Sequence, residues 1–213
     1  MLSTMQNSPL TVSAILRYAV NVHGDRTVTT ATGNGFRQAT YREVGRQAAR
    51  LANALRRLGI DADQRVATFM WNNQEHLEAY VAIPSMGAVL HTLNIRLFPE
   101  QIEFIAYEAQ DRVVIVDMSL VPILASVLPG METVHTVIAV GDGDIGPLQA
   151  SGKRVLRYHD ITSAESDEFD WPVLDENSAA AMCYTSGTTG NPKGVVYGHR
   201  SSYLHSMAVC SGN

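Results

Sequence analysis

A run of glycine, hydroxyl and lysine residues near the end of the chain is the part of the sequence best suited to chemistry. The run covers residues 184–194, reads YTSGTTGNPKG, and follows an apolar stretch at 179–183 that predicts a strand. Glycines let backbone N–H groups converge on an anion, hydroxyl groups add donors or reach Mg2+, and a lysine supplies a point charge. The run therefore predicts a loop that binds a polyphosphate. Its glycine, hydroxyl and lysine residues include Thr185, Ser186, Gly187, Thr188, Thr189, Gly190 and Lys193.

The order of residues in this loop differs from that of a Walker A motif. A Walker A motif needs a glycine, four residues, and then Gly-Lys followed by Ser or Thr. Here Asn191 and Pro192 separate Gly190 from Lys193, and Gly194 follows the lysine. This spacing disfavours a P-loop NTPase. The other alternative is a glycine-rich surface turn without a ligand, which the density of phosphate-binding groups disfavours.

Composition limits the class of protein. The 213 residues are enough for one large domain or two small ones. Hydrophobic residues make up 46% of the chain and charged residues 17%, a composition that supports a large buried core. The net charge of −5 argues against a general nucleic-acid binder. Cys183 and Cys210 are too few for a disulfide framework, which favours a reducing, cytoplasmic setting. The sequence has no apolar run of about eighteen residues and no signal-peptide pattern, so we expect neither a transmembrane helix nor a signal peptide.

The loop must be positioned by a framework of strands and helices. The clearest helix begins at a capping box of Thr40 and Glu43 and ends before Gly59. Other predicted helices cover 10–22, 74–86, 99–109, 120–127 and 199–209, and predicted strands cover 28–32, 35–40, 66–70, 88–93, 113–116, 134–140, 155–158, 179–183 and 194–197. Residues 141–152 are expected to form a loop, and 160–176 an exposed acidic connection with a short helix. The alternation of strands and helices predicts an α/β fold with a doubly wound, mostly parallel sheet flanked by helices.

The loop resembles the phosphate-binding loop of the adenylate-forming superfamily. That superfamily includes the acyl-CoA synthetases, firefly-type luciferases and the adenylation domains of peptide synthetases. A second segment, GAVLHTLNIRL at 87–97, precedes the helix predicted from Pro99 and the strand VVIVD at 113–117. This order is similar to that of fatty-acyl-CoA synthetases. Within the superfamily, the details CYTS at 183–186 and VVYGHR at 195–200 look most like medium- and long-chain fatty-acyl-CoA ligases.

The resemblance implies a two-step reaction that uses ATP, Mg2+ and coenzyme A. A fatty acid or related carboxylic acid attacks the α-phosphate of ATP to give acyl-AMP and pyrophosphate, and the thiol of coenzyme A then displaces AMP. By the family pattern, Thr185 is the candidate hydroxyl for Mg2+ or phosphate, and residues 186–190 would wrap the β- and γ-phosphates. Lys193 is the candidate catalytic residue, which would contact phosphate or hold the loop in place. Stabilising the charge on the leaving pyrophosphate is electrostatic work, which suits these groups.

The resemblance also implies that the chain is the first part of a longer enzyme. Residues 1–213 are expected to be a partial N-terminal domain, with the phosphate loop at 184–194 and without the C-terminal domain that carries the family's catalytic lysine. We therefore expect fatty-acid activation by the complete enzyme and little or none by the fragment. The expected partners are the carboxylic acid, ATP, coenzyme A, a second copy of the chain and, at most, a peripheral membrane contact, but no nucleic acid. The alternative is a non-catalytic nucleotide- or phosphate-binding module.

Two histidines lie next to the predicted site elements. His91 is predicted at the end of a strand, where sites of α/β proteins often form, and His199 follows the strand after the loop. A histidine at such a position is more often a hydrogen-bonded structural residue than a catalytic one. The sequence therefore predicts packing roles for both side chains.

Overall fold

A mostly parallel sheet forms the centre of this computed structural model, which describes residues 3–185 and 191–211. Among the described residues this sheet has seven strands in the order β7-β6-β5-β3-β4-β8-β9, and a separate two-stranded hairpin is formed by β1 and β2. The strands are β1 (Thr27–Thr32), β2 (Gly35–Thr40), β3 (Arg65–Phe69), β4 (Val89–Thr92), β5 (Asp111–Asp117), β6 (Thr136–Val140), β7 (Arg154–Arg157), β8 (Ala179–Thr185) and β9 (Lys193–Gly198).

The pairing directions agree with the predicted doubly wound arrangement. Every neighbouring pair from β7 to β8 is parallel, and the last pair, β8 with β9, is antiparallel. From β3 the chain first adds β4 on one side and then crosses to β5 on the other side, after which β6 and β7 extend that second side. The chain therefore reverses its winding direction at β3, as in other doubly wound sheets.

Helices cover both faces of the sheet and bury two apolar layers. One layer contains side chains of α1, α2, α3 and α7, and the other contains side chains of α4, α5 and α6. The helices are α1 (Val12–His23), α2 (Tyr41–Arg57), α3 (Gln74–Ser85), α4 (Pro99–Ala109), α5 (Val121–Val127), α6 (Gly146–Gln149), α7 (Tyr158–Ser163) and α8 (His199–Cys210). No helix within the described ranges has the length and apolar content that a membrane crossing requires.

Helix α2 illustrates how local sequence sets the bounds of an element. The Thr40 hydroxyl accepts a hydrogen bond from the Glu43 N–H at 3.2 Å, and the Glu43 carboxylate accepts one from the Thr40 N–H at 2.7 Å. This confirms the predicted capping box. At the other end, Gly59 has φ +84°, a conformation that a residue with a Cβ adopts only with strain.

Two connections differ from their sequence-based predictions. Residues 141–152 were expected to be a loop, but they contain the short helix α6, which begins beside a turn in which the Gly146 N–H donates to the Asp144 carboxylate at 2.8 Å. The acidic connection at 160–176 was expected to be exposed, yet Phe169 and Trp171 pack against the core layer of α1 and α2. These two rings lie 4.8 Å apart, so the connection is anchored to the domain by aromatic packing.

Candidate functional site

The β8–β9 hairpin carries the described residues of the predicted phosphate loop. Thr185 at the end of β8 lies opposite Lys193 at the start of β9, and both residues are exposed. The other predicted binding residues lie outside the described residues: Ser186, Gly187, Thr188, Thr189 and Gly190. The hairpin base therefore brings one hydroxyl and one lysine to the carboxyl end of β8, the end at which open α/β sheets bind ligands.

A close contact in the hairpin explains the glycine that follows Lys193. Tyr184 lies opposite Gly194 in the strand pairing, and its ring packs directly on the glycine. A Cβ atom added at Gly194 would lie 3.0 Å from Cζ and 3.2 Å from the hydroxyl oxygen of Tyr184. Any larger residue would push the tyrosine ring or the strand away. The sequence identified this glycine as part of the loop, but the packing reason is visible only in the fold.

A buried histidine–aspartate pair lies in the same apolar layer as Tyr184. His91 of β4 and Asp111 of β5 are both 0% exposed, and the Nδ1 atom of His91 lies 2.8 Å and 3.0 Å from the two carboxylate oxygens of Asp111. Burial raises the pKa of Asp111, while the hydrogen bond and charge of His91 oppose that shift. The predicted packing role of His91 agrees with its complete burial. Asp111 could not be identified from the sequence, because no local motif marks it.

The His91 ring connects this pair to the hairpin. Its centroid lies 5.3 Å from that of Tyr184, with 50° between the two planes. Burial, followed by the nearby carboxylates of Glu108 and Asp111, raises the pKa of Tyr184 to about 12, so its hydroxyl is neutral at physiological pH. No described residue is hydrogen-bonded to Nε2 of His91.

His199 links the start of α8 to the start of α1. It is the first residue of α8 and is 0% exposed. Its Nδ1 atom accepts a hydrogen bond from the Val12 N–H at 3.2 Å, which satisfies a free donor at the start of α1. Burial lowers the pKa of His199 and favours the neutral ring that this acceptor role requires. The predicted packing role agrees with this geometry.

A second buried acidic group lies in the opposite apolar layer and was not identified from the sequence. The Tyr158 hydroxyl donates to one oxygen of Glu78 at 2.6 Å, and the Gln74 amide donates to the other at 2.8 Å. Burial raises the pKa of Glu78 to about 7, although both hydrogen bonds act in the opposite direction. A cavity of about 330 Å3 beside it is lined by residues at the carboxyl ends of β6 and β7.

Polar side chains also meet where the sheet reverses its winding direction. After β3, the Trp71 indole N–H donates to the Ser119 hydroxyl at 3.0 Å, and the Asn73 amide donates to the Asp117 carboxylate at 3.1 Å. Trp71 is 48% exposed, so part of its ring is open to solvent beside these polar groups. Crevices at this position commonly bind ligands in open α/β sheets.

Comparison with known proteins gives one family. A family model described as "AMP-binding enzyme" matches residues 16–212. Over 211 residues the chain is 40% identical to the 3-methylmercaptopropionyl-CoA ligase of Ruegeria pomeroyi. This match covers 97% of the chain and 38% of that relative. It is also 38% identical over 210 residues to the medium-chain-fatty-acid–CoA ligase of Ectopseudomonas oleovorans, spanning 98% of the chain and 38% of that enzyme.

Solved structures give the same fold. An anthranilate CoA ligase in complex with anthranoyl-AMP matches with a TM-score of 0.81 at 24% identity, covering 94% of the chain and 37% of that protein. The fatty acyl CoA synthetase of Mycobacterium tuberculosis matches with a TM-score of 0.71 at 25% identity, covering 89% of the chain and 35% of that protein. The chain thus spans well under half the length of these proteins.

Proposed function

The chain belongs to the AMP-binding enzyme family, and from this premise we propose that the complete protein activates a carboxylic acid with ATP and transfers the acyl group to coenzyme A. In the first step a carboxylate oxygen bonds to the α-phosphorus of ATP as the bond to pyrophosphate breaks. In the second step the sulfur of coenzyme A bonds to the acyl carbon, AMP leaves and the thiol proton is released. CoA ligases at 38–40% identity support this assignment.

The observation that carries the proposal is the placement of Thr185 opposite Lys193 at the base of the loop. Both side chains are exposed at the carboxyl end of a parallel strand, where a nucleotide could approach from solvent. We assign the Thr185 hydroxyl to Mg2+ or a phosphate oxygen and the Lys193 ammonium to phosphate. Mg2+, when bound, would neutralise charge on the phosphate oxygens. Residues 186–190 would contribute the N–H groups that surround the polyphosphate.

The substrate that we propose is a medium- or long-chain fatty acid. Two similar relatives are named as medium-chain and long-chain fatty-acid–CoA ligases, and the second is the enzyme of Thermus thermophilus. A third is named as a 3-methylmercaptopropionyl-CoA ligase, and 3-methylmercaptopropionate is a short thioether acid. The carboxylic acids used to test the substrate preference must therefore include 3-methylmercaptopropionate beside fatty acids of increasing chain length.

Acid-dependent exchange between ATP and radiolabelled pyrophosphate in the complete protein tests the proposal. We expect exchange that requires both Mg2+ and the acid, with the highest kcat/KM for fatty acids of medium or long chain. Subsequent addition of coenzyme A should give the acyl-CoA and AMP in equal amounts. ATP binding without exchange for any acid would favour the non-catalytic binding module instead. A maximum at 3-methylmercaptopropionate would retain the reaction and reject the fatty-acid assignment.

A further inference from the structure

The buried pair of His91 and Asp111 lies on the same face of the sheet as Tyr184, and His91 belongs to β4, the strand next to β8, which leads into the loop. We propose that this pair positions the Tyr184 ring against Gly194 and thereby sets the spacing of the β8–β9 hairpin base. The two residues of the pair would be positioning residues, since neither is exposed to substrate. The catalytic consequence of this inference rests on the proposed function, but its structural consequence can be measured separately.

The strand order explains how the pair forms. Strand β3 lies between β4 and β5, so the side chains of His91 and Asp111 meet across it. Ala67 of β3 is the register partner of His91, and its small side chain leaves room for the imidazole above the sheet. On the other side of β4, the register partner of His91 is Met182 of β8, two residues before Tyr184. The imidazole therefore lies between the central strands and the strand that enters the loop.

Stability does not account for a polar pair at this position. Removing a carboxylate and an imidazole from water is unfavourable, and replacing such a pair with apolar residues of similar volume is often neutral or stabilising. The Nε2 atom of His91 has no hydrogen-bond partner among the described residues, which adds a desolvation penalty. A hydrogen bond from Nδ1 to the carboxylate does, however, fix the plane of the imidazole ring, as it does for oriented histidines in other sites.

A fixed imidazole plane constrains the hairpin through two contacts. The ring of His91 lies against Tyr184, and the Tyr184 ring in turn lies where a Cβ atom at Gly194 would meet it at 3.0 Å. The next pair in the ladder is Thr185 with Lys193, the described pair of the candidate site. A tilt of the tyrosine ring would therefore move the start of β9. A displacement of about 1 Å in reacting groups can lower a rate about 100-fold. Even a small movement of the start of β9 would therefore lower the rate of the reaction.

The test replaces both polar residues with apolar ones of similar volume in the complete protein. His91→Leu combined with Asp111→Val removes the hydrogen bond without leaving a buried unpaired charge. We expect the free energy of unfolding to be retained or increased, and kcat for pyrophosphate exchange to fall by at least about tenfold while KM for the acid changes less than about twofold. Amide hydrogen exchange should become faster in β9 and stay unchanged in β6.

Two further variants separate positioning from simple packing. Asp111→Asn keeps the shape of the side chain and an acceptor for the imidazole N–H, so it should restore most of kcat. His76→Phe is the matched control, because His76 is a buried histidine on the opposite face of β3 that hydrogen-bonds Thr68 and the Trp71 carbonyl. It should lower the free energy of unfolding while kcat and amide exchange in β9 stay at wild-type values.

The outcomes distinguish this inference from the proposed function. A double variant that folds, with wild-type kcat and wild-type amide exchange in β9, would overturn the positioning role. If the double variant does not fold, Tyr184→Leu carries the test, and wild-type kcat with unchanged amide exchange in that variant overturns the role equally. A wild-type protein without exchange activity for any acid refutes the proposed function instead, and amide exchange in β9 then decides the positioning role alone.

Discussion

The two lysines of the chain show how strongly a residue's surroundings decide its role. Lys153 donates from Nζ to the carbonyl oxygens of Met131 and Val134, both at 2.8 Å, and burial lowers its pKa. Lys193 is instead exposed at the base of the predicted phosphate loop. The first lysine closes a turn in the fold, whereas the second has its ammonium group in solvent beside Thr185. Sequence alone distinguished them through the loop motif, because only Lys193 follows a run of glycines and hydroxyls.

Lys193→Ala in the complete protein should lower kcat of acid-dependent pyrophosphate exchange about 100-fold, because a positive charge near the leaving phosphate is lost. The free energy of unfolding should not change, since the side chain is exposed. Arg26→Ala removes an exposed positive charge from the turn between α1 and β1 and serves as the control. Equal exchange rates in the two variants would reject the role assigned to Lys193.

Glu78 predicts a specific dependence of stability on pH. Its pKa is about 7 in the folded protein against an ordinary value of 4.5, so the folded state retains a proton that the unfolded state loses between these values. The contribution of Glu78 to stability is therefore present below pH 4.5 and is lost as the pH rises through 7. Relative to Glu78→Gln, the free energy of unfolding of the wild type should fall by about 3 kcal/mol between acid and mildly alkaline pH. Denaturant unfolding at a series of pH values measures this change. A difference in the free energy of unfolding between the two proteins that stays constant across this pH range would contradict the prediction.

At the scale of elements, the accuracy of sequence-based prediction depends on where each signal lies. Helix α2 has a capping box at its start and a glycine after its end, and α4 begins with a proline in its first turn, so their bounds could be predicted. Helix α6 has four residues, which is too short for an apolar period to be visible, and it was missed. The pairing of β8 with β9 is also invisible to periodicity, because an isolated apolar segment does not specify its neighbour.

Thr40→Ala should lower the free energy of unfolding by about 1 kcal/mol, because it removes the hydroxyl that accepts from the Glu43 N–H at the start of α2. Thr40→Ser keeps an acceptor at the same place and should retain most of that stability. Chemical denaturation of both variants measures the difference. Equal losses in the alanine and serine variants would show that the hydroxyl is not what stabilises this end of the helix.

At the scale of the molecule, the last two elements leave apolar side chains in solvent. The β9 strand is an edge of the sheet among the described residues, and it exposes Val195, Val196 and Tyr197, while α8 exposes Leu204 and Met207. An unpaired edge strand with apolar side chains promotes association between chains, and large apolar patches are uncommon on monomers. This surface is where we expect the predicted self-association of the chain to occur, and the homo-oligomer stays a prediction.

Val196→Lys should weaken self-association of this chain, because it places a charge at 54% exposed Val196 on the edge strand. Sedimentation velocity over a range of concentrations should show a shift towards the monomer. Phe36→Lys provides the control, since Phe36 is 79% exposed on the separate β1–β2 hairpin and lies away from this edge. An equal shift in both variants would assign association to general surface hydrophobicity. A monomeric wild type at every concentration would reject the prediction.

The amino-acid sequence by itself determined the α/β class, the bounds of the well-capped helices and the family, because each depends on residues that are close together in the chain. The loop at 184–194 is the strongest example, since its spacing is complete within eleven residues. The tertiary structure alone decided that Asp111 pairs with His91 and that Tyr158 pairs with Glu78, which are 20 and 80 residues apart. Such pairs depend on strand order and on which face each helix covers. Those choices follow from the packing of all elements at once, which no local pattern encodes.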